Sequence, residues 1–304
     1  MRASRYSQRD GVGENRLVMH AGIFAKTFPR ATVEAALDGV VAHGIRSVQF
    51  NMSCAGMPSM PDEIPAETCS RIRQACVDRR ISMAAVSGTF NVIHPDTRQR
   101  AEGMRRLDVL ASACASLGTC IITLSTGTRD PENMWKRHAE NASAEAWNDL
   151  ISSMEQAVEI AERWNVVLAF EPEFSNVVDT ARKARQLLDE VRSPRLWVVL
   201  DGANLFHAGD LSRMHSILDE AVDLLGDVIV LAHAKDLAQD GDAGHEAAGM
   251  GLLDYDHYLG SLLRIGYSGP LILHSLSEQQ VPGSLVFLQR KIDAALRASG
   301  APAE

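Results

Sequence analysis

Three ionisable residues stand at the ends of short apolar runs, and together they could bind a divalent metal ion. The runs VVLAF, LWVVL and VIVLA are followed directly by Glu171, Asp201 and His233. Short apolar runs bounded by turn residues are typical of strands buried on both faces, as in a parallel sheet. Because parallel α/β sheets bind ligands at the carboxyl ends of their strands, we expect these three side chains to converge on one spot.

A fourth candidate ligand, His274, ends the later apolar run PLIL. A barrel presents one ligand per strand end, and carboxylates with imidazoles suit a divalent metal. Single residues have structural alternatives: Asp201 could cap the helix that follows it, and His233 could be a hydrogen-bonded core histidine. Four such residues at the ends of four successive strands favour the metal site.

The elements that would position these residues alternate along the whole chain. Helical patterns at 180–191 and 211–225 separate the three runs, and the alternation of apolar runs with amphipathic segments continues on both sides. Strands are predicted at 16–22, 46–51, 81–88 and 119–127, then up to Glu171, Asp201 and His233, and at 270–275. Eight strands and eight helices without a linker predict an α/β fold, a single (β/α)8 TIM barrel over residues 16–304, with residues 1–15 a flexible leader.

Composition excludes several classes of protein. The formal net charge of −9 argues against a nucleic-acid or anionic-membrane binder, which needs clustered Lys and Arg. The chain has no run of eighteen apolar residues, and its N-terminus lacks the apolar stretch of a signal peptide. Five cysteines without a CxxC pair are typical of buried thiols in a reducing compartment. We therefore predict a cytoplasmic protein with a small-molecule partner.

Long exit loops after the fourth and seventh strands are typical of binding loops or lids. The strand-three and strand-four loops carry the candidate substrate contacts Asn91, His94, Arg129, Trp135 and His138. Trp135 could stack on a sugar face, and Arg129 could bind a carboxylate or a hydroxyl group. The alternatives are that Trp135 packs on the barrel rim and that Arg129 pairs with Asp130 or Glu132.

Four segments resemble one known family. EPE at 171–173, VVLDGANLF at 198–206, LAHAKD at 231–236 and GMGLLDYDHYLGSLLRIGYSGPLIL at 249–273 are similar to the sugar isomerase/epimerase family with the xylose isomerase-like barrel. The resemblance implies one divalent ion, Mn first with Mg, Co, Zn or Ni as alternatives, held by Glu, Asp, His and Glu from strands five to eight. It also implies proton transfer between neighbouring carbons of a polyol or keto sugar through a cis-enediolate, with the two glutamates as acid and base.

The chain departs from this family pattern at one ligand. Glu171, Asp201 and His233 match, but His274 stands where the family has its second glutamate. An imidazole there removes a negative charge and favours softer metals such as Mn, Zn or Ni. Either His274 binds the metal and another group transfers the proton, or His274 transfers the proton and the ion has three protein ligands. The groups that could then act as acid or base are Glu173, Lys235 and Glu278.

These residues predict a metal-dependent sugar or polyol isomerase or epimerase, with Glu171, His274 and Lys235 as catalytic groups. Further substrate contacts are expected from Glu173, Asn204 and Glu278, while Asp236 would orient a ligand or pair with Lys235. The family resemblance also implies a homodimer or homotetramer.

Three other functions stay open at this point. Metal-assisted removal of a proton next to a carbonyl also starts lyase and dehydratase reactions, including cleavage of 3-keto glycosides and C-glycosides. An endonuclease acting at abasic sites shares the barrel, but the acidic composition disfavours it. A sugar-binding barrel without catalysis would hold no tightly bound metal.

Overall fold

Eight parallel strands close into a barrel over residues 19–299, the part of the chain that this computed structural model describes. The barrel strands are β1 His20–Phe24, β2 Ser47–Phe50, β3 Ser82–Ser87, β4 Ile121–Ser125, β5 Val167–Glu171, β6 Leu196–Asp201, β7 Ile229–Asp236 and β9 Pro270–Leu273. A ninth, two-residue strand, β8 Glu246–Ala247, pairs antiparallel with β7 outside the barrel sheet. Pairing of β6 with β7, of β7 with β9 and of β9 with β1 closes the parallel sheet. The predicted single (β/α)8 TIM barrel is confirmed.

Eight α-helices cover the outside of this barrel. They are α1 Val33–Ala42, α2 Ala66–Asp78, α3 Thr97–Leu117, α4 Ala144–Trp164, α5 Ala181–Val191, α6 Met214–Leu225, α7 Tyr255–Arg264 and α8 Val281–Ala298. The helices α1, α3, α4, α5 and α7 start at polar side chains that accept a backbone N–H of the first turn, namely Thr32, Asp96, Ser143, Thr180 and Asp254. No helix within residues 19–299 is long and apolar enough to cross a membrane.

Burial on both faces explains why the strands are short and apolar. Every residue of β4 and β6 is buried, because barrel side chains cover one face and helices the other. Helix α3, for example, buries Leu107, Leu110 and Cys114. All five cysteines are free thiols, as expected from their spacing.

The predicted bounds of four strands were wrong by two residues or more. The fourth strand is Ile121–Ser125 and not 119–127, and the last strand ends at Leu273 and not at 275. The first strand runs to Phe24 and not to Gly22. A Cβ at Gly22 would lie 2.7 Å from Ile272 Cδ1, so the glycine allows β1 to pack closely against Ile272 and does not end the strand. The predicted residues 16–18 and the predicted leader 1–15 lie outside the described range. Strand β7 continues past His233 to Asp236, because Lys235 and Asp236 pair with the antiparallel β8.

Candidate metal centre

Three predicted ligands converge at the carboxyl ends of neighbouring strands. Glu171 ends β5 and Asp201 ends β6, while His233 lies in β7 directly opposite Asp201 in the strand register. One ligand atom of each residue lies within 4.8 Å of the other two. Two carboxylate oxygens and one imidazole nitrogen are a donor set that Mn, Zn or related divalent ions accept.

Two of the three ligand atoms are buried without a hydrogen-bond partner in the described part of the chain. They are Asp201 Oδ2 and His233 Nδ1, whose side chains are 0% and 2% exposed. His233 Nδ1 lies 3.6 Å from Asp201 Oδ2 and 3.5 Å from Glu171 Oε2. Asp201 Oδ2 has the ion pair with Lys235 Nζ at 3.2 Å, whereas His233 Nδ1 has no such partner. Since an unpaired buried polar atom costs about 1–3 kcal/mol, its retention needs a reason, and a cation between these ligand atoms would supply one.

The other atoms of the two carboxylates are fixed by the loop that follows β6. Asn204 Nδ2 donates to Glu171 Oε1 at 2.6 Å, and Ala203 N donates to Asp201 Oδ1 at 2.9 Å. The predicted alternative for Asp201 is therefore realised in part, because Asp201 caps the 3-10 turn Gly202–Asn204 with one oxygen. Its second oxygen stays available for a metal.

His233 is held from its other side by Gln49, which the sequence analysis did not single out. Gln49 Oε1 lies 2.9 Å from His233 Nε2, and Gln49 Nε2 donates to Thr123 Oγ1 at 3.2 Å. The available signal in the sequence was a glutamine inside the short strand SVQF, all of which is buried. A buried amide needs partners, and these come from strands that are remote in sequence.

The electrostatics follow from placing several charges in a buried space. Burial lowers the pKa of His233, but Glu171 and Asp201 outweigh burial and raise it to about 9. Burial likewise raises the pKa of Asp201, but Lys235 and His233 hold it below its ordinary value. Lys235 Nζ lies 3.2 Å from Asp201 Oδ2, so Lys235 pairs with Asp201 and not with Asp236 as the alternative had it.

Glu173 brings a further carboxyl group beside these charges. The residue is buried two positions after Glu171 in the exit loop of β5, and burial together with Glu171 raises its pKa to about 7. Its carboxyl makes no hydrogen bond to any residue of the described range 19–299. A carboxyl that is neither ion-paired nor hydrogen-bonded is available to a substrate.

His274 lies against the centre but does not join the group of three. Its ring stacks on the ring of His233, with centroids 5.1 Å apart and planes 16° from parallel, and on Phe24 from the other side. The lone pair of an imidazole nitrogen lies in the ring plane, so two stacked rings do not direct their lone pairs at one ion. Burial, with the positive charges of His233 and Lys235, lowers the pKa of His274 well below its ordinary value.

Three residues predicted to contact substrate bind other parts of the protein. Asn91 Nδ2 donates to Thr128 O at 2.8 Å, while both ring nitrogens of His94 are used, by Pro131 O and by the backbone N–H of Asp96. Arg129 is buried and forms an ion pair with Asp149 at 2.7 Å, so the predicted partners Asp130 and Glu132 were wrong. The partner of Arg129 lies on α4, which the local sequence could not indicate.

The remaining candidates lie on the rim of the barrel. Trp135 is 54% exposed, and His138 Nδ1 accepts the backbone N–H of Glu140. Glu278 forms a two-pronged ion pair with Arg30, which joins the loops after β9 and β1. Of these three, Trp135 has no side-chain hydrogen bond or ring contact in the described range.

The carboxylate of Asp236 holds the long loop that follows β7. Its carboxylate accepts backbone N–H groups from Leu237, Gly249 and Leu253 at 2.9–3.0 Å. A Cβ at Gly251 would lie 2.4 Å from Leu237 O, so the loop can pass this close only with glycine there. The HAKD and GMGLLD segments are therefore parts of one structural unit at the mouth of the barrel.

Comparison with known proteins gives the same fold and a partial sequence match. The ketose 3-epimerase of Arthrobacter globiformis is 29% identical over 111 residues, which is 36% of this chain and 34% of that protein, so the chain matches about a third of the curated relative's length. The structure of L-ribulose 3-epimerase superposes with a TM-score of 0.71 at 15% identity, covering 93% of this chain and 97% of that one. The IolI protein with a zinc atom gives a TM-score of 0.67 at 16% identity, covering 92% and 98%.

A family model also matches most of the chain. The model described as a xylose isomerase-like TIM barrel matches residues 37–291, which include every barrel strand from β2 to β9 and all of the candidate metal ligands. The chain therefore belongs to the xylose isomerase-like TIM barrel family.

Proposed function

We propose that this protein is a divalent-metal-dependent isomerase or epimerase of sugars or polyols. The observation that carries the proposal is the convergence of Glu171, Asp201 and His233 at the carboxyl end of the barrel, where His233 Nδ1 has no hydrogen bond and Asp201 Oδ2 has only the ion pair with Lys235. Ligand sites of TIM barrels lie at this end. The partial match to a ketose 3-epimerase supports a sugar as the substrate class.

Glu171, Asp201 and His233 would hold the ion. Mn fits this mixed oxygen and nitrogen set, Zn is supported by the atom named for the IolI structure, and Mg, Co and Ni are the other candidates. When bound, a divalent ion would polarise a substrate carbonyl and so acidify the neighbouring C–H bond.

We assign the first proton transfer to Glu171. Its side chain is 19% exposed, whereas the side chains of Asp201 and His233 are buried. Of the three ligands, a substrate could therefore reach only Glu171. Asn204 fixes the carboxylate through Oε1 and leaves a second lone pair on that oxygen to accept a proton. A base held in this way can take a proton from the carbon next to a carbonyl.

The second proton transfer needs a group on another side of the substrate. His274 is our first candidate, because it is partly exposed at the end of β9 and its Nδ1 is hydrogen-bonded to Ser275 Oγ at 2.8 Å. Lys235 Nζ, held by Asp201, is a hydrogen-bond donor for a substrate oxygen. Glu173 is the carboxyl that could replace His274, and Trp135 is the ring that could stack on a sugar.

Proton exchange with solvent tests this proposal directly. The purified protein with added Mn²⁺ is incubated in D2O with a panel of ketoses, and NMR follows deuterium at the carbons next to the carbonyl. We expect exchange with at least one ketose, and none with the Glu171→Gln variant. Release of an elimination product would support the lyase alternative, and metal-free protein without exchange on any ketose would support a non-catalytic sugar-binding barrel.

A further inference from the structure

We propose that Gln49 selects which nitrogen of His233 binds the metal ion, and that Gln49 is therefore a positioning residue of the metal centre. This inference rests on the proposed function, because it takes an ion to be bound by Glu171, Asp201 and His233. It concerns a residue on the opposite side of the barrel from the carboxylates, in a strand that supplies none of the three ligands.

A short chain of hydrogen bonds crosses the barrel interior and ends on His233. It starts at Thr123 in β4, passes through the Gln49 amide in β2, and reaches His233 Nε2 in β7. All three side chains are buried, with Gln49 and Thr123 at 3% and 4% exposure. The residues come from three strands, so the barrel itself fixes their relative positions.

The direction of these hydrogen bonds defines the protonated nitrogen of His233. An amide donates only through its nitrogen and accepts only through its oxygen. Because Gln49 Nε2 donates to Thr123 Oγ1, Gln49 Oε1 faces His233 and accepts the Nε2–H group. Nε2 therefore keeps its proton, and Nδ1 is the nitrogen whose lone pair an ion can use.

The unpartnered atoms of the centre fit this assignment. His233 Nδ1, and not Nε2, is the ring nitrogen without a hydrogen-bond partner among the described residues, and it points toward Glu171 Oε2 and Asp201 Oδ2. Rotation of the ring would bury an unpaired N–H in place of the bond to Gln49. Histidine ligands generally donate their second N–H in this manner, and loss of that partner lowers metal affinity about 10–100-fold.

Metal affinity separates this positioning role from a purely structural one. Cobalt(II) is titrated into the metal-free full-length protein and its visible absorption is followed, for the wild type, Gln49→Leu, Gln49→Glu and Thr123→Val. We expect Gln49→Leu to lower cobalt affinity about 10–100-fold. Gln49→Glu should retain affinity, since a carboxylate also accepts the Nε2–H group, and Thr123→Val should cause a smaller loss because the amide is then free to turn.

The control is Thr119→Val. Thr119 lies just before β4, the strand that contains Thr123, and its buried hydroxyl donates to Ala84 O and not toward His233. Its cobalt affinity should equal that of the wild type. Unchanged affinity and spectrum in both Gln49→Leu and Thr123→Val would overturn the inference while leaving the metal centre standing. A wild type that binds no cobalt would instead overturn the proposed function, so the two failures are distinguishable.

Discussion

The stacking of His274 on His233 divides the four residues predicted as ligands into two groups. Glu171, Asp201 and His233 present their atoms to a common point, whereas the His274 ring lies over the face of His233. At the scale of single residues, we therefore separate the binding of the ion from the second proton transfer. The two roles can be tested by the same substitution.

His274→Ala should keep the metal ion and lose activity. We expect metal content equal to that of the wild type, because the imidazole is not among the converging ligand atoms. We expect the rate of proton exchange to fall about 10²–10⁴-fold, which is the usual contribution of a general acid or base to the rate. Elemental analysis and exchange in D2O measure the two effects. His257→Ala on the outer helix α7, where the ring pairs with Asp219, is the matched control. Loss of the ion in His274→Ala would make this residue a ligand.

Ion pairs between elements hold the loops that surround the site. Asp149 on α4 binds Arg129 from the loop after β4 at 2.7 Å and Arg100 on α3 at 2.8 Å. Burial raises the pKa of Asp149, but the two arginines outweigh burial and lower it. A carboxyl whose folded pKa lies below the unfolded value of about 3.9 adds stability above that pH and loses it as the pH falls through the folded pKa.

Asp149→Asn should therefore destabilise the protein in a pH-dependent way. At pH 7 we expect a loss of about 1–3 kcal/mol in the free energy of unfolding, because the buried Arg129 loses its charged partner. The difference between variant and wild type should shrink as the pH falls below about 4, where the wild-type carboxyl is protonated as well. Urea unfolding at several pH values measures it, and a difference that does not change with pH would contradict the assigned ion pair.

Asp236→Ala should destabilise the loop at the mouth of the barrel. The substitution leaves three backbone N–H groups, of Leu237, Gly249 and Leu253, without their acceptor. Leu237 and Leu253 are buried, and since each unpaired buried group costs about 1–3 kcal/mol, we expect a loss of about 2 kcal/mol or more in the free energy of unfolding. Asp242→Ala, in the same loop but exposed, should change the free energy of unfolding by less than about 0.5 kcal/mol. Equal effects of the two substitutions would contradict this account of the loop.

The elements were predictable to the extent that their signals are local. Apolar runs and caps such as Asp96 fix where β4, β6 and α3 lie, and ligands at strand ends follow from the strand pattern alone. The predicted β4 was two residues too long at each end, and the predicted β9 two residues too long at its end. Two other strands were predicted to end too early, at Gly22, which allows close strand packing, and at His233, where pairing with Glu246 and Ala247 extends β7. Both depend on neighbours that are distant in sequence.

Contacts between distant parts of the molecule could not be predicted from the sequence for the same reason. The partner of Arg129 is 20 residues away on α4, and Gln49 meets a histidine 184 residues later in the chain. Neither pairing leaves a periodic or spacing signal in the sequence. The barrel closure that brings β2, β4 and β7 around one interior creates the Thr123, Gln49 and His233 chain.

Metal binding should also stabilise the entire barrel. An ion that binds only the folded state adds about 2.7 kcal/mol to the free energy of unfolding at a concentration of 100 times its dissociation constant. Chelation should therefore lower the melting temperature of the wild type by several degrees, and added Mn²⁺ should restore it. Calorimetry measures the shift. The Asp201→Asn variant should show none, and an equal shift in that variant would place the ion elsewhere.

The metal content of the purified protein tests the central claim most directly. Elemental analysis of the wild type, before and after addition of Mn²⁺, Zn²⁺ or Co²⁺, is compared with Glu171→Gln, Asp201→Asn and His233→Ala. We predict about one ion per chain in the wild type and its loss from all three variants, because a divalent ion needs these ligands together. A wild type that holds no ion under any of these conditions, or variants that retain it in full, would contradict the proposed metal centre.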